Sequence, residues 1–227
     1  MHQGSVSLVR RILTSLALAA AGLLSSVVPA TAATSATASA TPSDQCSAAY
    51  YDDDARLGPA DLPSTGKVGF ELIGYRRTGG MSATDFLAKY YDPTANGGSG
   101  GWLYPPKNGY LLAPDGSPIE WHQTLLPGQD IDRFGSEYGS FLAPEYLPYA
   151  NRAIPPQSLD SNPPAPCNYH DYRVLKQFQV DAGPIASWFA QPGGGLQYQL
   201  DATLIPGAPT PINVLWLVNN GYLARVS

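Results

Sequence analysis

The residues of this chain best suited to chemistry are two arginines set in loops rich in aromatic residues and glycine. Arg133 stands in Asp132-Arg133-Phe134-Gly135, just ahead of Tyr138 and Phe141, and Arg152 stands just ahead of Pro155-Pro156. Further on come Tyr169-His170-Asp171-Tyr172 and the run Gly193-Gly194-Gly195-Leu196-Gln197-Tyr198. Two loop arginines can pair with a pyrophosphate, aromatic faces can sandwich a flat ring, and a triple-glycine turn lets backbone approach a ligand closely. That combination suits a dinucleotide. The same residues also read as plain structure, with Arg152 a surface ion-pair partner, Phe134 and Phe141 core residues and the glycines a hairpin turn. Composition does not decide between the two.

The elements that must position these residues are mostly short. A helix is predicted from Ser82 or Thr84 to Tyr90, with Ser82 as N-cap, Asp85 completing a capping box, and Phe86, Leu87 and Tyr90 on one side. The loop Asn96 to Gly101 follows, and Trp102 restarts ordered chain. Gly109 to Ala113 and Ile119 to Gln123 flank Pro114-Asp115-Gly116 as a hairpin. Tyr172 to Phe178, Leu196 to Leu204 and Val214 to Val218 are predicted strands, each bounded by Pro or Gly. With 22 prolines and 23 glycines and few helix-length periodic segments, the expected fold class is α+β: a β-rich single domain with a central, mostly antiparallel sheet and few short helices.

At the N-terminus, Arg10 and Arg11 precede an apolar run and the small-residue sequence Ala30-Thr31-Ala32, which reads as a secretory signal peptide over 1–32. The arginine pair fits a twin-arginine signal or any basic n-region. No second long apolar stretch follows, so no membrane span is expected after cleavage. Residues 33–45 read as a flexible leader. Removing Arg10 and Arg11 leaves 11 basic against 18 acidic residues, a formal charge of −7, which argues against nucleic acid or an anionic membrane as partner. The two cysteines, Cys46 and Cys167, are expected to form a disulfide, the alternative being two unpaired thiols. No CxxC pattern or histidine cluster suggests a metal, and Asp52-Asp53-Asp54 reads as a solvated turn rather than a calcium loop.

The wording and order of five segments resemble the tuberculosis necrotizing toxin (TNT) domain family, whose characterised members are NAD glycohydrolases. The segments are Tyr104-Pro105-Pro106-Lys107-Asn108-Gly109, Asp132-Arg133-Phe134-Gly135, Arg152 before its Pro-Pro, Tyr172-x-Val174, and Gly193 to Tyr198. The resemblance spans roughly Tyr104 to Ala224. It implies a core over 104–227, a TNT-like fold distantly similar to ADP-ribosyltransferases, and an N-terminal extension over 46–103 packed on that core. It also implies a secreted, toxin-like protein with NAD or NADP as substrate and no prosthetic group, and it admits a dedicated immunity protein as partner.

Carried over residue by residue, the resemblance places Arg133 near the pyrophosphate and ribose. Phe134, Tyr138 and Phe141 become substrate-binding aromatics, Arg152 a second binding arginine, and Gln197 the residue that orients the nicotinamide ribose at the catalytic centre. His170 matches a family histidine, or it packs or caps a strand. Asp132 is read as orienting Arg133 or capping its loop, and Glu137 as exposed. Leaving nicotinamide needs no protonation, so the lack of a carboxylate pair fits such chemistry. An ADP-ribosyltransferase would rely on a glutamate where this chain has Gln197-Tyr198-Gln199. A secreted binding module on the same fold, without activity, is the reading from another class.

Overall fold

The computed structural model describes residues 43–226. The segment read as a signal peptide and the leader up to residue 42 lie outside the described residues. Among the described residues no helix is long and apolar enough to cross a membrane.

The chain runs through helices α1 (Gly66–Glu71) and α2 (Ala83–Tyr90) into an antiparallel ribbon of strands β1 (Tyr91–Asp92) and β2 (Gly101–Trp102), which encloses the short α3 (Ala95–Gly98). Strands β3 (Trp121–Leu125), β4 (Asp130–Phe134) and β5 (Phe141–Pro144) precede α4 (Tyr149–Arg152). Strands β6 (Tyr169–Val174), β7 (Phe178–Pro184) and β8 (Leu196–Gln199) follow, then α5 (Val214–Asn219) and β9 (Leu223–Arg225). Seven of the strands form one sheet in the order β3-β7-β8-β5-β4-β6-β9. Every neighbouring pair is antiparallel, as the α+β reading expects.

Alternation along the strands sends two kinds of side chain to two faces. Ile131, Leu142, Tyr172, Val180, Ala182 and Tyr198 build the main apolar core on one face, where Val214 and Leu217 of α5 cover them together with Ile205 and Ile212. The register Asp132↔Asp171, Phe134↔Tyr169 and Asp132↔Ala143 brings the two aspartates to the other face beside Phe134, Tyr169 and Ala143. That face is covered by the N-terminal segment, through a second cluster of Cys46, Leu72, Phe134, Tyr149, Leu159 and Cys167.

The helix expected after Ser82 is α2. The Ser82 hydroxyl accepts from Asp85 N at 3.1 Å and donates to Asp85 Oδ2 at 2.7 Å, and Phe86 and Tyr90 are buried. The predicted strand over Val214 to Val218 is instead α5. Asn213 caps it by accepting from Trp216 N at 2.9 Å, and the buried pair Val214 and Leu217 lies three residues apart, a helical spacing. Tyr172 to Phe178 is not one strand: β6 ends at Val174 and β7 begins at Phe178. Likewise β8 stops at Gln199 and a single 3-10 turn takes up Ala202–Leu204. The Pro114-Asp115-Gly116 turn does reverse the chain, through a Leu112↔Pro118 bridge and an Ile119 N to Leu111 O bond, but regular pairing begins only at Trp121. Asp52 to Asp54 form an exposed turn in which Asp54 binds Arg56.

Cys46 and Cys167 are joined, 121 residues apart in sequence and 5.3 Å apart at Cα. The bond ties the first described residues to the start of β6. Closing so long a loop restricts the unfolded chain, an effect of roughly 2–5 kcal/mol. Reducing the disulfide, or substituting Cys46→Ser, is therefore expected to lower Tm by roughly 5–15 °C, since each kcal/mol moves a domain of this size by a few degrees. Calorimetry with and without reductant reads this, and an unchanged Tm would mean that the arm is held by packing alone.

Candidate active site

A cavity of about 420 Å³ opens at the ends of β4, β5 and β8, and its walls include Tyr104, Asn108, Gly109, Asp132, Arg133, Phe134, Phe141, Arg152 and Gln197. Residues from five separate stretches of sequence therefore meet in one place.

Arg133 sits near the end of β4, where the chain turns back into β5. Its Nε donates to Ser136 O at 2.8 Å and its Nη1 to Phe141 O at 2.6 Å, so the turn wraps the guanidinium in its own carbonyls. Gly139 completes the wrap: a Cβ there would overlap Nη2 and Cζ of Arg133. The turn is anchored by α5, where Val214 N donates to Gly139 O at 3.0 Å and Leu215 N to Glu137 O at 2.9 Å. Among the described residues no carboxylate lies within ion-pair distance of Arg133. Burial lowers its pKa, outweighing the weaker pull of Tyr172, Tyr104 and the more distant Glu137. The cavity thus presents a desolvated cation that the protein itself does not neutralise, the arrangement that favours an anionic ligand.

Gln197, on β8, is buried at 8% exposure. Its Nε2 donates to Asn108 O at 3.0 Å. Asn108 and Gly109 both have positive φ, 53° and 80°, so the left-handed turn of the Pro-Pro-Lys-Asn-Gly segment presents this carbonyl to the amide. One of the two amide N–H groups is thus taken, and the side-chain oxygen, which takes no hydrogen bond from the described residues, can accept from a ligand.

Arg152, at the end of α4, is no surface ion-pair partner. Its Nη1 and Nη2 donate to Asp132 Oδ1 and Oδ2 at 2.5 and 2.8 Å, Nη2 also to Glu71 Oε2 at 2.7 Å, and Nε to Leu147 O at 3.0 Å. Four of its five N–H groups are taken, leaving one on Nη1. Its guanidinium stacks 5.0 Å from the centre of the Phe134 ring. Phe134 is itself packed edge-on against Tyr149 and tilted against Tyr169, so it is at once a core residue and a wall of the cavity.

Asp132 orients Arg152 and not Arg133, because neighbours on a strand point to opposite faces. Glu137 is not free in solvent: it accepts from Tyr172 Oη at 2.8 Å and pairs with Arg225 at 2.5 Å. Phe141 reaches the cavity, whereas Tyr138 and His170 do not line it. Tyr138 is 76% exposed on the turn. His170, cross-strand from Arg133, stacks on Tyr172 with Nε2 3.3 Å from Asn168 Oδ1, and burial lowers its pKa. Sequence reading missed Glu71 altogether. Its only signal is the four-residue spacing from Lys67, hidden in a six-residue helix that contains two glycines.

Residues 124–226 match the sequence profile of the family described as Tuberculosis necrotizing toxin. The conidial surface nicotinamide adenine dinucleotide glycohydrolase nadA of Aspergillus fumigatus is 43% identical over 178 residues, which cover 78% of this chain and 71% of that protein. The chain belongs to the tuberculosis necrotizing toxin family. Among solved structures, tuberculosis necrotizing toxin complexed with its immunity factor IFT aligns with a TM-score of 0.45 at 21% identity, over 77% of this chain and 79% of the other. Rhs1-CT in complex with its cognate immunity protein RhsI1 aligns with a TM-score of 0.31 at 14% identity, over 48% and 77%.

In this family member the Asp132–Arg152 pair is the buried joint between sheet and cavity. Asp132→Ala removes one carboxylate and leaves a buried guanidinium half-paired. Its expected cost is about 3–5 kcal/mol of unfolding free energy, measured by urea denaturation, against which a loss below about 1 kcal/mol would mean that the pair is solvated.

Proposed function

We propose that this chain is an NAD(P) glycohydrolase: it hydrolyses the N-glycosidic bond to nicotinamide, giving nicotinamide and ADP-ribose. The observation that carries the reading is the cavity pairing an un-neutralised Arg133 with Gln197 and Phe141, in a chain 43% identical to a protein named as an NAD glycohydrolase. NAD enters as substrate.

In this reading Arg133 takes the pyrophosphate. Phe141, whose carbonyl holds Arg133, offers its ring to the nicotinamide. The Gln197 side-chain oxygen accepts from a hydroxyl of the nicotinamide ribose. The bond between C1′ and the pyridinium nitrogen breaks with its electron pair going to nicotinamide, which leaves neutral and needs no proton. Water adds its oxygen to C1′ and releases one proton to solvent. The protein's task is to hold the dinucleotide and stabilise an oxocarbenium-like transition state. Among the described residues the one carboxylate on the cavity wall, Asp132, is committed to Arg152 and Tyr169, so it is not assigned as a base. Neither His170 nor Tyr138 receives a role, as neither lines the cavity.

An ADP-ribosyltransferase is the weaker reading, because among the described residues no glutamate lines the cavity and Gln197 and Gln199 stand on β8. The proposal includes export, supported by the signal-like N-terminus and the Cys46–Cys167 bond, and a buttressing role for residues 46–103 on a core of 104–227. An immunity partner is proposed on family membership alone.

Nicotinamide release from NAD by the purified, disulfide-bonded chain tests this, with NADP as second substrate. Gln197→Ala is expected to lower kcat by about 100-fold or more with little change in Tm. No release by folded wild type would leave a binding module. Gly139→Ala should fold normally but push the Arg133 guanidinium out of its wrap, raising KM about tenfold; a KM equal to wild type would argue that Arg133 does not touch the substrate.

A further inference from the structure

Helix α1 lies outside the residues that match the family profile, yet two of its side chains reach the cavity-bearing face of the sheet. Lys67 and Glu71 are four residues apart and so share one side of the helix. Lys67 Nζ bonds the carboxylates of Asp171, on β6, and Glu145, just after β5. Glu71, fully buried, accepts from Arg152 Nη2, while its other oxygen, Oε1, has no partner among the described residues. No step of the proposed reaction uses Glu71.

Its position gives it one all the same. The bidentate contact with Asp132 fixes Arg152 along one edge of the guanidinium, and a pair held along one edge can still tilt as a unit. Glu71 holds Nη2 from a second direction, and the Leu147 carbonyl holds Nε from a third. Together they determine where the remaining Nη1–H points. We propose that Glu71 is a positioning residue for NAD cleavage: acting through Arg152, it aims the uncommitted N–H of that guanidinium into the cavity. The proposal rests on the glycohydrolase reading and extends its machinery to a helix beyond the family motifs.

The charges around Glu71 bear on how it does this. From β4 it faces Asp132, from β6 Tyr169 and from α4 Arg152, while Lys67 of its own helix pairs with Asp171 and Glu145. Four carboxyl groups thus serve two cations, the Arg152 pair buried and the Lys67 pair partly open to water. Burial, outweighing the pull of Arg152, pushes Glu71 up to about 8. A carboxyl raised in the folded state stabilises the fold fully below its unfolded value and loses that contribution as pH rises through the folded one. The side chain therefore keeps its proton to higher pH than an ordinary carboxyl, and in that state it accepts from Arg152 through one oxygen, which glutamine reproduces and alanine does not.

Steady-state NAD cleavage by the full disulfide-bonded chain separates these states, run between about pH 6 and pH 9 for wild type, Glu71→Gln and Glu71→Ala. Glu71→Ala is expected to raise KM about tenfold with a smaller change in kcat. Glu71→Gln should restore KM to within about twofold near neutral pH and lack the change in KM expected of wild type as pH passes about 8. If the alanine variant does not fold, the flat KM profile of Glu71→Gln, with a wild-type Tm, carries the test alone. An active wild type whose KM and pH profile Glu71→Gln simply copies, with Glu71→Ala also unchanged where it folds, overturns the positioning role. A folded wild type that releases no nicotinamide sinks the glycohydrolase reading instead, and this extension with it.

Discussion

The contact on which the rest of this structure depends is the grip of Asp132 and Glu71 on Arg152. It joins three stretches that share no local sequence: helix α1, strand β4 and the end of α4. Ion pairs so deeply buried are poor sources of net stability, because taking the charges out of water costs about as much as their attraction returns. They are demanding about geometry, however, since a guanidinium accepts its partners only in the plane of its fork. The result is a rigid floor under the cavity, with Phe134 stacked beneath the guanidinium and Tyr169 donating to Asp132.

Above that floor the second arginine is treated in the opposite way. Arg133 is wrapped by carbonyls and, among the described residues, pairs with no carboxylate. Two arginines of one cavity thus have distinct duties that follow from strand alternation. Asp132 points to the face where Arg152 and the N-terminal segment lie, and the next residue along the strand points away from it. The neutralised arginine supports, and the un-neutralised one is left for an anion.

The two faces of the sheet are also linked through α5. Its apolar side closes the main core, and the N–H groups at its first turn hold the carbonyls of Glu137 and Gly139 in the turn that encloses Arg133. Packing of the core and aim of the cation are therefore set by the same short helix, and the disulfide performs a similar service on the other face by holding the N-terminal segment against β6.

Much of this was legible in the chain itself. The Ser82 cap with Asp85 specifies α2 because the cap is local, and Arg133, Phe141 and Gln197, which line the cavity, stand in motifs that share the wording and order of the TNT family. Pairing of Cys46 with Cys167 followed from there being only two cysteines. What required tertiary structure were the long-range electrostatics and the edges of elements. Val-Leu-Trp-Leu-Val has the composition of a strand and becomes α5 because Asn213 caps it and its fully buried residues, Val214 and Leu217, are spaced as on a helix. Arg152 read as a surface or ligand-binding arginine, and only folding brings Asp132 and Glu71, 20 and 81 residues away, to its two edges. Distance along the sequence carries no information about which carboxylate will meet which cation. The register of the sheet supplies that, and with it the division between the arginine that supports the cavity and the one left open to it.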